Sequence, residues 1–145
     1  MALPVFQIRF RSTFFLFFPF YGTEVSDSGG RGERKGETGM SFINLSDIEE
    51  REIVKGFRAR FVHTDHMTFA YWSVTAGAQL PDHAHPHEQV ANIIRGRFEI
   101  TVDGETQMIE AGAVVVIPSG AKHRGRALTD CFILDVFSPV REDYR

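Results

Sequence analysis

Three of the six histidines in this 145-residue chain fall within five positions, at His83, His85 and His87. Neutral imidazole is a common ligand for divalent transition metals, so such a cluster points to a metal site. On a β-strand, residues two apart share a face, which predicts that His83 and His85 project together. Gln89 follows four residues after His85, and Gly77 and Gly96 bracket the stretch. A convincing site needs one more donor. His123 is the candidate, because it follows the apolar run 113–117 and the turn Pro118-Ser119-Gly120. His87 is read as a neighbour of the site or a surface group, since Pro86 interrupts the strand parity it would share with His85. His63 and His66 flank Thr64-Asp65 and are read as an exposed turn.

The elements that must position these side chains are strands. Phe57, Ala59 and Phe61 alternate with Arg58 and Arg60, a period of two. Residues 68–74 are aromatic and β-branched, and residues 89–95 read as another strand closed by Gly96. Phe98, Ile100 and Val102 alternate with Glu99 and Thr101. Asp103-Gly104 then predicts a tight hairpin turn into residues 105–109. Residues 113–117 are a continuous apolar run, and residues 131–137 form the last long strand. Ser46 is read as the N-cap of one short helical turn carrying Asp47, Glu49 and Glu50. The pattern predicts an all-β fold, a single-domain sandwich or barrel with at most that one N-terminal helical turn.

Composition bounds the remaining possibilities. A net charge of -3, with no basic run interleaved with aromatics, argues against a nucleic-acid partner. Cys131 is the only cysteine, so neither an intrachain disulfide nor a cysteine-rich zinc site is available; it is read as a buried residue of a cytoplasmic protein. Residues 1–39 differ from the rest. The segment Phe14-Phe15-Leu16-Phe17-Phe18-Pro19-Phe20-Tyr21 is too short to span a bilayer as a helix, no convincing signal-peptide cleavage site follows it, and residues 22–39 are rich in Gly, Ser and charge. We read 1–39 as a non-fold extension, preceding a true start at Met40, and 40–145 as the domain.

Two motifs in order resemble those of the cupin family. The first is carried by Gly77, His83, His85 and Gly96, with Gln89 where the family usually has Glu. The second is carried by Gly112, Pro118, Gly120 and His123, with Ala127 where a terminal Asn is usual. The resemblance implies a small jelly-roll barrel with a divalent metal (zinc, nickel, manganese or iron) held by His83, His85, Gln89 and His123. It also implies a homodimer, for which the strand near Phe57 to Phe61 is a plausible interface.

Gln89 and the C-terminal strand sharpen the expectation. An amide neutralises none of a metal's charge, so three imidazoles and an amide leave the full 2+ to attract an anion. By alternation Cys131, Ile133, Asp135 and Phe137 share one face, while Phe132, Leu134 and Val136 share the other. Both faces are largely apolar, so Asp135 is a carboxylate in apolar surroundings, suited to proton transfer. Pro-His-Glu-Gln in the first motif and Asp-Val-Phe-Ser-Pro-x-Arg-Glu-Asp at the end resemble the KdgF group of cupins, apart from Val140, where that group often has a second Pro. The resemblance implies metal-dependent opening of 4,5-unsaturated uronates to linear keto sugars, with Asp135, Phe137 and Arg141 in the active site and a small anionic sugar acid as substrate. Two other functions fit the same ligands: an Fe(II) dioxygenase, and a non-catalytic sugar-acid-binding cupin.

Overall fold

Side-chain alternation decides this architecture. The computed structural model describes residues 41–145; the readings of residues 1–39 and of Met40 lie outside them. Among the described residues ten strands follow one another: β1 (Arg51–Val54), β2 (Phe57–His63), β3 (Thr68–Val74), β4 (Gln79–His83), β5 (Glu88–Arg95), β6 (Arg97–Val102), β7 (Glu105–Glu110), β8 (Val114–Ile117), β9 (His123–Ala127) and β10 (Cys131–Ser138). They form two antiparallel sheets, one ordered β1-β2-β3-β10-β5-β8 and the other β4-β9-β6-β7.

The inner faces of the two sheets meet in one core. In β2 the buried residues are Phe57, Ala59 and Phe61, and in β6 Phe98 and Ile100 fill the opposite wall. Phe57 lies edge-on to both Trp72 and Phe98, with ring centroids 6.3 Å apart in each pair, a geometry that adds about 0.5–1.5 kcal/mol per pair beyond the area buried. Phe57, Ala59 and Phe61 are spent in this core, and β2 lies between β1 and β3; the outward residues there are Arg58 and Arg60.

Turn chemistry closes the strands. Asp103 and Gly104, at φ 47 and 89, occupy the left-handed region that the tight β6–β7 hairpin requires. Gly96 is at φ 94, and a Cβ there would lie 2.3 Å from the Asp130 carbonyl oxygen, so β5 can pass into β6 beside Cys131 only with glycine.

Three expectations are corrected. The N-terminal turn is a 3-10 turn over Leu45–Asp47 with Asn44, not Ser46, in the cap position, and Asn44 makes no side-chain cap bond. Glu50 lies beyond the turn and pairs instead with Arg58 and Arg60. A second 3-10 turn, Glu142–Tyr144, ends the chain; it was hidden because three residues are too few for periodicity to register.

Candidate metal centre

His83 ends β4, and its register partner across the small sheet is His123, the first residue of β9. This pairing brings their rings to 4.1 Å between centroids. His85 lies past the end of β4, in the loop before β5. The expected strand parity therefore does not align His83 with His85; the loop does. That loop is fastened from the second motif, where Gly120 N–H donates to the His85 carbonyl at 2.8 Å and the Ser119 hydroxyl donates to the Pro86 carbonyl at 2.6 Å. The donor nitrogens of His83, His85 and His123 lie within 4.8 Å of one another.

Backbone carbonyls set the tautomers of all three rings. Nδ1 of His83 faces the Pro81 carbonyl at 2.9 Å, that of His85 the His87 carbonyl at 3.0 Å, and that of His123 the Ala121 carbonyl at 2.9 Å. A carbonyl only accepts, so each Nδ1 is assigned the proton and each Nε2 a lone pair. Among the described residues His123 Nε2 is buried with no hydrogen-bond partner. His85 Nε2 lies 3.0 Å from Gln89 Oε1. With Nδ1 of His85 carrying the proton, two lone pairs face each other beside a third that is orphaned, an arrangement that a divalent cation could satisfy. Burial also lowers the imidazole pKa of His85, and that of His123 to about 4, which keeps both neutral, as metal ligands must be.

The opposite wall is built by the large sheet. Gln89 is the register partner of Phe137, and Asp135 sits two residues along β10, between Ala70 of β3 and Ala91 of β5. Those small neighbours leave space in front of the carboxyl group. Asp135 is 8% exposed, and burial raises its pKa to about 7; the side chains of Gln89 and Trp72 and the charge of Arg141 pull the other way. Neither Asp135 Oδ1 nor Trp72 Nε1 makes a hydrogen bond within the described residues. Phe132, Leu134 and Val136, on the outer face of β10, are half-buried rather than fully covered.

Arg141 completes this wall. Its backbone N–H donates to Thr68 Oγ1 at 2.9 Å. Its guanidinium lies 5.0 Å from the Phe137 ring centroid and makes two hydrogen bonds to Asp143. His83, Gln89, His123, Asp135, Phe137 and Arg141 line one cavity of about 340 Å³. His87 stands outside the donor cluster: its Nε2 contacts the Val140 carbonyl at 3.2 Å, and its ring is 5.6 Å from that of His85. His63 is not in an exposed turn but at the end of β2, bonded to Thr68 Oγ1 at 2.9 Å, whereas His66 is exposed as expected. Sequence reasoning passed over Trp72, Thr68 and Tyr144; the aromatic run 68–74 was the available signal for the first.

A cupin domain is matched over residues 70–137. An uncharacterized protein from Streptomyces coelicolor is 30% identical over 102 residues, covering 69% of this chain and 97% of that protein. With two antiparallel sheets and both motifs in place, the chain belongs to the cupin superfamily. Within it, the pectin degradation protein KdgF of Dickeya dadantii is 31% identical over 70 residues, covering 47% of this chain and 64% of that protein. The structure of KdgF from a Halomonas species superposes with a TM-score of 0.68 at 29% identity, covering 74% of this chain and all of that one. Among the described residues no helix is long and apolar enough to cross a membrane.

Proposed function

We propose that this cupin opens 4,5-unsaturated uronates to linear keto sugars. The observation that carries the reading is the opposition of two walls around one site: three clustered histidines on one side face an amide, a buried carboxyl and an arginine on the other. The similarity to the two KdgF proteins supports the substrate class. His83, His85, His123 and Gln89 would hold a divalent metal, which supplies uncompensated positive charge for an anionic substrate.

In this reading Arg141 receives the uronate carboxylate through charge-assisted hydrogen bonds, and Phe137 packs against the sugar ring. Asp135, in its protonated form, donates its proton to C4 of the C4=C5 enol ether. C5 becomes electrophilic and takes up a water, whose proton returns to Asp135. The C5–O5 bond of the resulting hemiketal then breaks to give the C5 ketone, and the hydrate left at C1 collapses to the aldehyde with release of water. The net change is an isomerisation and needs no redox partner. The test is the ultraviolet absorbance of the conjugated C4=C5 bond: it should disappear faster with the protein than by spontaneous opening, and the Asp135→Asn variant should return the rate toward that baseline.

A further inference from the structure

The guanidinium of Arg141 is held on three sides. Its Nε donates to Asp143 Oδ1 at 2.9 Å and its Nη2 to Asp143 Oδ2 at 2.7 Å. One face lies against Phe137, and the Tyr144 ring centroid is 4.2 Å from its central carbon. The arginine side chain is only 9% exposed, whereas that of Asp143 is 56% exposed. Asp143 therefore approaches from the water side and grips the Nε–Nη2 edge of the fork, and Arg141, whose Nη1 lies outside that grip, lines the cavity.

The turn that carries Asp143 is itself anchored. Tyr144 packs on Phe61 at 4.7 Å between centroids and lies edge-on to Trp72 and Phe137. Arg51 of β1 donates to the Tyr144 carbonyl, and His87 holds the Val140 carbonyl. A three-residue turn has little stability of its own, so these contacts are what keep the carboxylate in place.

We propose that Asp143 is a positioning residue, with Tyr144, that presents the Nη1 edge of Arg141 to an acidic sugar. This deepens the function proposed above and rests on it. The competing role is a placeholder, in which the Asp143 carboxylate occupies the arginine until substrate displaces it. Geometry favours positioning: a bidentate grip on a nearly buried arginine is costly to break, while Nη1, outside that grip, already suffices for one carboxylate oxygen.

Trp72 is the only tryptophan and lines the cavity, so its fluorescence reports occupancy. The probe is saturated D-galacturonate, which lacks the reactive double bond, titrated into full-length protein carrying its metal, with neutral D-galactose as the control. Wild type should respond to the uronate. Asp143→Ala should weaken uronate binding about tenfold or more, with metal content and melting temperature retained, and Asp143→Glu should recover part of the loss. Glu142→Gln removes the same charge from a residue paired with Arg145 and should bind as wild type does. Unchanged or tighter binding in Asp143→Ala, or an equal loss in Glu142→Gln, would overturn the positioning role while leaving the uronate reading intact. A wild type that responds to neither sugar would overturn both.

Discussion

The two walls of the cavity are built by different means. The histidine wall is local: each imidazole is oriented by a backbone carbonyl two residues away in sequence, and the loop carrying His85 is tied to the second motif by two hydrogen bonds. The opposing wall is assembled from afar. Asp135 faces the cavity because β10 runs between β3 and β5 in a register that sets it between two alanines. Arg141 is reached by contacts from Thr68, 73 residues earlier in the chain. The first wall presents imidazoles, the second a carboxyl and a cation. Donors for a metal can be preorganised by neighbours in sequence, whereas an ionisable pair facing them needs the whole barrel.

The largest effects should come from separating the walls. His123→Ala removes the buried, orphaned nitrogen and should abolish stoichiometric metal binding in elemental analysis, while circular dichroism still shows a folded β-protein. A full complement of metal in that variant would remove His123 from the ligand set. Asp135→Asn should leave the metal in place and lower kcat by about 10²–10⁴-fold, the usual contribution of a positioned acid or base. Gln89→Glu joins the walls electrostatically. It should keep the metal but raise KM for a uronate, because the new carboxylate cancels charge that the amide leaves exposed; an unchanged KM would sink the charge argument and spare the fold.

Two smaller effects concern the frame. Gly96→Ala should destabilise the fold by more than about 1 kcal/mol in denaturant titration, since its Cβ would approach the Asp130 carbonyl and Cys131 Sγ. Burial raises the pKa of the Cys131 thiol, so it should alkylate more slowly than a free thiol at mildly alkaline pH and at the ordinary rate once unfolded. Prompt reaction in the native protein would show that this corner of β10 opens.

Legibility followed the same division. The histidine spacing and the Pro118-Ser119-Gly120 turn named all three imidazoles, and alternation alone put Asp135 on the buried face with Cys131, Ile133 and Phe137. What failed were inferences that needed local backbone geometry. His83 and His85 converge through a loop, not strand parity. The strands β1, β4 and β9 escaped notice because they are short, and residues such as Gln79, Asp82, Arg124 and Gly125 give them little β-like pattern. The Asp143 clamp on Arg141 was invisible because it depends on a 3-10 turn anchored by Phe61, Trp72 and Arg51, none of them near it in sequence.

One measurement bears most directly on the claim that these walls act together. A 4,5-unsaturated galacturonate is mixed with metal-loaded protein, with the same protein after chelation and with the Asp135→Asn variant, and the loss of C4=C5 absorbance is followed against spontaneous opening. The expected result is acceleration by the loaded wild type alone, with a linear keto sugar as product. An equal rate in all three, no faster than the spontaneous reaction, would contradict it.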